Sequence, residues 1–410
     1  MMLQLAFRNL WRRKRRTVIT ALSIAFGFWL AVILIGIRES VSHRFIEVGA
    51  KGSFGFLTVA ARDFESRKAQ LSHFQPSAEL KDIIASVPEI RAAVPRRIGE
   101  SILQSTHQNT GAGWMAVDPK LENADVNLFC HYLKEGTCGP EWKRGAIIGS
   151  TLAEKLKVKR DDELIYTLQF ANGQSISLMT HVQGIFHTAS EDLDGHLYLI
   201  PIDELEAELP ASARYFSYMA IFVDNAYQVA RVTRELNSRL PPELKAFTWQ
   251  ETQPSLVEFF AADRLIFMIL LVFICLIIAA GIATCMNMNF IERRREIGTL
   301  LAIGMYPRQI LVLLLQEALA LGIVGTCLGT LITAPFYLYL NLHGVDISRM
   351  MGYSMTAGGI TQGDMVLHCR LLLWQALGIA AAPILSSLLA SLIPAYLAST
   401  TMPVEILREA

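Results

Sequence analysis

Charged residues are scarce in this 410-residue chain. Asp, Glu, Lys and Arg make up 18% of the sequence, and apolar residues make up 52%. Because ordinary soluble domains contain about 25% charged residues, this composition indicates a membrane protein. The 37 basic residues are balanced by 37 acidic ones. The chain therefore lacks the positive excess that is typical of nucleic-acid-binding proteins, and we expect no nucleic acid among its partners.

Several motifs of catalysis and cofactor binding are also missing. The six cysteines are too few for a disulfide-rich scaffold, and none of them forms a CxxC pair. Neither the GxSxG motif of hydrolases nor the GxxxxGK[ST] phosphate loop occurs. The histidines near 181–196 have neither zinc nor EF-hand spacing. We therefore expect no catalytic residue, no metal site and no ATP bound by this chain itself.

Apolar residues are concentrated in four long blocks. The first, from Thr17 to Ile37, contains no charge in 21 residues. As a helix it would rise about 31 Å, enough for a bilayer core of about 30 Å. The sequence predicts an α-helical membrane protein with four transmembrane helices, at residues 17–37, 265–289, 309–340 and 371–396.

Basic residues next to these blocks predict the orientation. The first sixteen residues carry six Lys and Arg, and the connection at 290–308 carries four more. The connection at 341–370 has only two. By the positive-inside rule, both termini and 290–308 face the cytoplasm, and residues 38–264 and 341–370 face the opposite side. Residues 1–16 are interpreted as an amphipathic elbow in the headgroup layer, with a plain basic flank as the alternative, and 397–410 as a cytoplasmic tail.

Residues 38–264 form a large segment between the first two spans. Alternating patterns predict strands at 54–60, 162–170, 175–186 and 196–200, and helices at 77–86, 150–157, 202–208 and 225–239. Ser150 or Thr151 is a possible cap for the second of these helices. The segment is therefore predicted to be a mixed α/β extracytoplasmic domain. Two subdomains that separate near 100–110 and rejoin after about 215 are one possible arrangement.

The only two cysteines of this domain, Cys130 and Cys138, lie eight positions apart. A local disulfide is reasonable if the domain faces an oxidising periplasm, and two free thiols are the alternative.

The segment from Ile291 to Gly329 reads IERRREIGTLLAIGMYPRQILVLLLQEALALGIVGTCLG. It combines a basic, amphipathic start with Gly304, which can end a helix, and Pro307, which can begin the next one. The segment resembles the ERxREIGxLxAIGxxxxQI…EA sequence of permeases of the lipoprotein-releasing (LolC/LolE) and MacB-like (FtsX-type) family of ABC transporters. AFRNLWRRKRRTVITALSIAFG, RGAIIGSTLAEKLKVKRDDEL and MPVEILRE are similar to other segments of that family, in the same order.

The resemblance implies a non-catalytic membrane subunit that works as a homodimer or heterodimer with a pair of ABC ATPase subunits. ATP and Mg would be bound by those ATPase subunits. The family's coupling helix, which docks in a groove of the ATPase, corresponds here to Glu292, Arg294, Arg295, Glu296, Ile297, Gly298, Leu301, Gly304 and Met305.

The resemblance also implies a location in the inner membrane and a lipid-facing cargo site. In lipoprotein-releasing relatives, acyl chains enter between the first two spans of the two permease copies. The corresponding candidates in this chain are Phe26, Phe28, Trp29, Ile33, Ile37, Phe260, Ile266, Phe267 and Leu270. Membrane lipids, a lipoprotein cargo and a periplasmic chaperone are the implied partners, although the hairpin that corresponds to the chaperone-binding loop is short, at about 169–174.

Two features of the third block have open interpretations. Glu317 is an acid within an apolar span, and either contact with the basic elbow or a role in substrate handling would explain it. Gly325 and Gly329 form a GxxxG pair, with Gly322 one turn earlier. Such glycines allow close helix packing, either inside one subunit or across a dimer.

The leading hypothesis is ATP-driven extraction or release of lipoproteins or lipids. The alternatives are a MacB-like mechanotransmitter that exports a periplasmic small molecule or peptide, and a regulator of a periplasmic hydrolase.

Overall fold

The structure, a computed structural model, describes residues 14–169, 175–188, 190–210, 214–224, 228–346, 355–357, 360–362 and 366–400. The described residues belong to two compact units. The helical unit contains the residues up to Val41, then Ala262–Asp346, then those from Val366. The α/β unit contains Ser42–Ala261 and Ile347–Met365.

The helices in chain order are α1 (Lys14–Gly52), α2 (Ala78–Ala85), α3 (Leu128–His131), α4 (Ser150–Leu156), α5 (Glu191–His196), α6 (Ile202–Ala207), α7 (Val229–Arg239), α8 (Trp249–Thr252), α9 (Pro254–Ala302), α10 (Pro307–His343) and α11 (Leu373–Thr400). A 3-10 helix covers Ser66–Leu71. The strands are β1 (Leu57–Ala61), β2 (Ile90–Gln104), β3 (Asn109–Val117), β4 (Leu133–Glu135), β5 (Ala146–Gly149), β6 (Glu163–Gln169), β7 (Ser175–Phe186), β8 (Leu197–Pro201), β9 (Tyr218–Val223), β10 (Leu244–Thr248), β11 (Val345–Asp346), β12 (Met355–Ala357), β13 (Ile360–Gln362) and β14 (Val366–Leu367).

Within the described residues, four helices are long and apolar enough to cross a membrane, namely α1, α9, α10 and α11. The first three contain the predicted spans, and α11 begins at Leu373, inside the predicted span 371–396, while α1 and α9 are considerably longer than their spans. Helix α1 continues beyond Ile37 to Gly52, and α9 runs without interruption from Pro254 to Ala302. The apolar pattern delimits only the part of a helix that suits the membrane core. The helix itself continues until a capping residue or a glycine ends it, so α1 and α9 extend beyond the predicted span limits.

Glycines allow close packing inside the helical unit. A Cβ atom at Gly325 would lie 2.6 Å from the Ile24 side chain, and one at Gly329 would lie 2.9 Å from Phe28. A Cβ atom at Gly322 would lie 2.5 Å from Ser387 Oγ. The glycines of α10 therefore contact α1 and α11 of the same chain. This is the first of the two interpretations of the GxxxG pattern, namely close helix packing inside one subunit. Glu317, on the same helix, is buried.

The α/β unit contains a mixed sheet with the strand order β10-β1-β9-β2-β3-β8-β5-β7-β4, and β6 pairs with both β2 and β7. The pairs β3–β8 and β5–β7 are parallel, and the other pairs are antiparallel. Following the pairs from β2 through β3, β8, β5, β7 and β6 leads back to β2. These six strands therefore close into a barrel, which leaves no unpaired edge among them.

Strand β2 connects two regions with separate cores. Its first half, from Ile90 to Arg96, pairs with β9, whereas its second half pairs with β3 and β6. One hydrophobic cluster contains residues from 50–94 and 218–247, together with Val126, and the other contains residues from 103–209. The chain passes from the first cluster to the second near the predicted division at 100–110 and returns to the first after about 215. One continuous strand, β2, joins the two clusters.

A buried ion pair stabilises the region around β2. The side chains of Arg96 and Glu122 are both fully buried, and Arg96 Nε donates to Glu122 Oε1 at 2.8 Å. Arg96 Nη2 donates to Glu122 Oε2 at 3.0 Å and to the Val126 carbonyl at 2.8 Å. Burial acts against the charge of Arg96, but Glu122 outweighs it and raises the pKa of Arg96 above its ordinary value. Arg96 also donates to the carbonyl of Ser53, just past the end of α1.

The four strands and four helices predicted for this region are present with limits shifted by at most four residues. The predicted cap of α4 is wrong. Its N-cap is Gly149, without a side-chain bond, because the Ser150 hydroxyl contacts His187 instead. Strands β2, β3, β4, β5, β9 and β10 of this sheet were not predicted.

Candidate functional site

The connection between α9 and α10 is a tight helix–turn–helix. Gly304 has φ +105°, a conformation that a side chain disfavours, and its N–H donates to the Leu301 carbonyl at 3.0 Å. Helix α10 begins at Pro307, and the backbone N–H of Tyr306 donates to Gln309 Oε1 at 3.0 Å. The basic segment at 290–302 is thus the last part of α9 and not a separate helix, and the turn proper is four residues long.

One face of this turn is packed against the helical unit. Ile297 is 3% exposed and belongs to a cluster with Ile310, Leu314 and Ala395. Leu301 and Met305 pack against the same cluster, and Gly298 is buried beside Ile297. These four of the nine predicted coupling residues therefore hold the turn in place. Ile297 and Gly298 are buried, whereas Leu301 and Met305 are half-buried.

The other face is exposed. Glu292, Arg295, Glu296 and Gly304 are exposed, and the side chain of Arg294 lies outside the described residues. Two residues outside the nine predicted coupling residues complete this face, since Ile303 is 79% exposed and Tyr306 is 71% exposed. Large exposed apolar side chains next to charges are typical of a protein interface. We call Glu292, Arg295, Glu296, Ile303 and Tyr306 the outer face of the turn. Its signal in the sequence was the AIGMYP run, where apolar residues flank the glycine.

Two clefts lie between helices of the helical unit. The first cleft has a volume of about 470 Å³ and lies between α1 and α9. Its lining includes Ile19, Phe26, Leu30, Ile274, Ile278 and Gly281 and contains no charged residue. Thr20, Ser23 and Thr284 are its polar lining residues, so the cleft is predominantly apolar.

The nine predicted cargo residues do not gather in one cleft. Phe26 lines the first cleft, and its ring stacks on Trp29 with centroids 5.7 Å apart. Phe28 is buried against Ala31, Val32 and Ile379. The remaining candidates lie at scattered places: Ile33 and Ile37 are half-buried on α1, Ile266 and Leu270 are exposed on α9, Phe267 lines the second cleft, and Phe260 lies in the α/β unit with its ring 6.0 Å from that of Trp249.

The second cleft has a volume of about 240 Å³ and involves α1, α9 and α11. Its lining comprises Ile35, Arg38, Arg264, Phe267, Met268, Leu271, Trp374, Gln375, Gly378, Ile379 and Ala382. Two arginines lie at one end of this cleft, at the positions where α1 and α9 leave the predicted membrane spans.

A serine, a histidine and an aspartate meet in the α/β unit, although the sequence did not predict it. Ser150 Oγ lies 2.8 Å from His187 Nδ1, and Asp194 Oδ2 lies 3.1 Å from the same nitrogen. In a Ser-His-Asp triad, the serine and the carboxylate contact opposite nitrogens of the ring. The Asp194 carboxylate also accepts hydrogen bonds from the backbone N–H and hydroxyl of Thr188. This cluster fixes a turn and lacks the geometry of a proton relay.

The other predicted groups of this unit are placed as follows. Cys130 and Cys138 are joined by a disulfide, with their Cα atoms 5.6 Å apart. Within the described part of the chain, no group of three or more His, Cys, Asp or Glu could hold a metal ion. The hairpin tip at 170–174, including Asn172 and Gly173, lies outside the described residues, while β6 and β7 on either side pair in register from Gln169↔Ser175.

Comparisons with solved structures gave weak similarity. The extracellular domain of the noncanonic ABC-type transporter YknZ from Gram-positive bacteria is 14% identical, with a TM-score of 0.33 over 47% of this chain and 99% of that domain. The periplasmic region of MacB from Actinobacillus actinomycetemcomitans is 12% identical, with a TM-score of 0.34 over 47% of this chain and 87% of that region.

Comparisons of sequence gave longer matches. The macrolide export ATP-binding/permease protein MacB of Wolinella succinogenes is 24% identical over 80% of this chain, which spans only 52% of that protein. The lipoprotein-releasing system transmembrane protein LolC of Haemophilus influenzae is 22% identical over 83% of this chain and 83% of its own length. The family model for the FtsX-like permease C-terminal region matches residues 268–403, which contain the outer face of the turn and most of the helical unit. Residues 268–403 therefore form an FtsX-like permease domain, and the chain is a homologue of the MacB and LolC proteins.

Proposed function

We propose that this chain is the inner-membrane permease subunit of an ABC transporter and that the outer face of the turn docks on a separate ATPase subunit. ATP and Mg²⁺ would be bound by that ATPase, because this sequence has no phosphate-binding loop. In this proposal both termini and the turn lie in the cytoplasm, and the α/β unit lies in the periplasm.

The observation that carries the proposal is the two-sided character of the turn. Ile303 and Tyr306 expose most of their apolar surface, while Ile297 packs against α10 and α11 a few residues away. A rigidly held, exposed apolar element fits a groove on a partner, and Arg295 adds a charge that can pair across the interface. Because the turn ends the same continuous helix that begins at Pro254, a displacement at the turn would act along the whole of α9.

The proposed cargo is a lipoprotein or a lipid, because LolC belongs to a lipoprotein-releasing system. The match to LolC covers 83% of that protein, and the match to MacB covers 52% of that protein. A macrolide-type exporter remains the second candidate, because the identity to MacB is 24%.

The docking test uses the full chain, purified with its ATPase in lipid nanodiscs. Ile303→Asp and Arg295→Glu should each lower co-purification of the ATPase and coupled ATP turnover, by about tenfold for Ile303→Asp if it is a central contact. Leu71 is a matched control, since it is 58% exposed in the α/β unit. Leu71→Asp should change neither quantity. Unchanged coupled turnover in both turn variants would contradict the docking proposal.

The cargo test is mass spectrometry of the same nanodisc complex. A triacylated lipoprotein or a discrete lipid that leaves on ATP addition would support extraction. A complex that holds a periplasmic adaptor protein or a hydrolase, with no such lipid, would favour mechanotransmission and contradict the proposed cargo.

A further inference from the structure

We propose that the second cleft of the helical unit binds a glycerophospholipid, with one acyl chain between α9 and α11 and the headgroup phosphate against Arg264. This site goes beyond the proposed transport function, because it requires neither the ATPase nor the cargo. It is also separate from the first cleft, with which it shares no lining residue.

The residues that line the second cleft change from polar to apolar along its length. On α9 the lining residues are Arg264, Phe267, Met268 and Leu271, which follow one helical face. On α11 the polar Trp374 and Gln375 come first, and Gly378, Ile379 and Ala382 follow. Polar groups thus lie at one end, and only apolar groups lie deeper. This arrangement matches a lipid, which has a charged headgroup and an apolar tail.

The position and depth of the second cleft also suit a lipid. Arg264 lies just before the apolar part of α9, and Arg38 lies just after that of α1, so the polar end is at a membrane–water boundary. Trp374 is 65% exposed at the same end, and exposed tryptophan is typical of that boundary. The seven helical steps from Arg264 to Leu271 rise about 10 Å. This depth is about two thirds of one leaflet of a bilayer core.

The two arginines of the second cleft differ in how their charges are balanced. Arg38 Nε donates to Asp263 Oδ2 at 2.8 Å, and its guanidinium lies over the Phe267 ring at 5.6 Å. The charge of Arg38 is therefore balanced within the chain. Among the described residues, Arg264 has no carboxylate partner, although it lines the same end of the cleft. An exposed guanidinium above an apolar cleft is suited to a phosphate, which it can contact through two N–H groups.

The neighbouring polar groups strengthen this assignment. Gln375 is buried, donates to Glu39 Oε2 at 2.8 Å and accepts from the Leu372 N–H at 3.0 Å. Its amide therefore holds Glu39, the other carboxylate near this end, in a fixed contact. The cation that stays available to a ligand is Arg264, so the site should prefer lipids that carry a phosphate.

The test uses the delipidated full-length chain in detergent and native mass spectrometry. It is titrated with phosphatidylglycerol and, separately, with a diacylglycerol that has the same acyl chains. The wild-type chain should bind phosphatidylglycerol more tightly than the diacylglycerol. Arg264→Gln should weaken phosphatidylglycerol binding by about threefold to tenfold and leave diacylglycerol binding unchanged. The matched control Arg370→Gln changes an exposed arginine that does not line the cleft, and it should have no effect.

A second pair of variants tests the cleft itself. A Cβ atom at Gly378 meets nothing within 4 Å, so Gly378→Leu fills the cleft without a clash at the backbone. It should abolish binding of both lipids. Gly281 in the first cleft is equally open, so Gly281→Leu is the matched control and should leave phosphatidylglycerol binding unchanged. Thermal melting of all variants checks that they are folded.

Three outcomes would overturn the site. If Gly378→Leu binds both lipids as tightly as the wild-type chain does, the lipid does not bind in the second cleft. If Arg264→Gln weakens the binding of phosphatidylglycerol and diacylglycerol equally, Arg264 does not contact the phosphate. Displacement of the lipid by millimolar inorganic phosphate would identify a general anion site instead of a lipid site. Because no ATPase is present, any of these results leaves the proposed transport function untouched, and a failed docking test leaves the lipid site untouched.

Discussion

The α/β unit and the helical unit achieve close packing with different residues. In the α/β unit, large side chains fill two hydrophobic clusters, and the buried charges of Arg96 and Glu122 neutralise each other. In the helical unit, α10 approaches its neighbours through Gly322, Gly325 and Gly329, where a Cβ atom would collide with the facing helix.

The difference reflects the two solvents. A domain in water gains free energy from every apolar group it buries, so large side chains pack together and each buried polar group requires a partner. Lipid tails are as apolar as leucine, so helices in a membrane gain little by merely hiding such side chains. They associate through close contact of small residues. The comparison thus predicts which kind of substitution each unit tolerates least.

The largest effect is expected from Arg96→Ala. It would leave the carboxylate of Glu122 buried without its cation, which costs about 3–5 kcal/mol. Hydrogen exchange of peptides covering 90–104, measured on the full chain, should show that loss as faster exchange. Arg91→Ala removes the exposed pair between Arg91 and Asp125 and serves as a control, with an expected cost of about 0–1 kcal/mol. Equal effects of the two variants would contradict the role of burial.

The same residues explain why the sequence did not reveal part of the fold. Strand β2 contains Pro95, Arg96 and Arg97 in its centre, whereas a buried strand is expected to be apolar and free of proline. Their tolerance depends on partners that are distant in the sequence, such as Glu122 for Arg96 and the ring of Tyr215, 3.9 Å from the guanidinium of Arg97. Strands β6 and β7 show regular alternation and were predicted almost to the residue.

The second effect is expected from the disulfide. Cys130 and Cys138 close a loop with a sequence separation of eight. Restriction of so short a loop in the unfolded chain contributes about 2 kcal/mol. A reductant should therefore lower the protection of the 128–149 region, while the double variant Cys130→Ser, Cys138→Ser should no longer respond to it. A mass spectrum with two free thiols before reduction would refute the pairing.

The third effect concerns the glycine contacts of the helical unit. Gly325→Val would place its Cβ atom 2.6 Å from the Ile24 side chain, which is closer than van der Waals contact allows. Such overpacking costs about 1–3 kcal/mol. Gly281→Val introduces the same side chain into open space and controls for the valine itself. Thermal melting in detergent should separate the two variants. If they melt together, the close contact between α10 and α1 is wrong.

The candidate site was only partly predictable for a related reason. The motif located the turn at 290–308, but periodicity alone does not show which side of a helix faces its own subunit. Packing against Ala395, nearly a hundred residues away, turns Ile297 inward. Ile303 and Tyr306 face outward because Gly304 reverses the chain between them. These two residues would have been placed in the core by hydrophobicity alone, and only the fold identifies them as an exposed surface.

The smallest effect is expected at the surface of the α/β unit, where a charge is paired but not buried. Burial opposes the ionised form of Glu251, but hydrogen bonds from the Thr248 N–H and from Lys245 outweigh it and lower its pKa below 4.5. A carboxylate with a lowered pKa adds stability that is complete above pH 4.5 and is lost as the pH falls through the lowered value. Glu251→Gln should therefore reduce the hydrogen-exchange protection of residues 244–252 at pH 7, and this loss should be much smaller than the loss caused by Arg96→Ala. The difference between Glu251→Gln and the wild type should vanish in acid. A difference that persists at a pH below the lowered pKa would show that the glutamate acts through its shape and not through its charge.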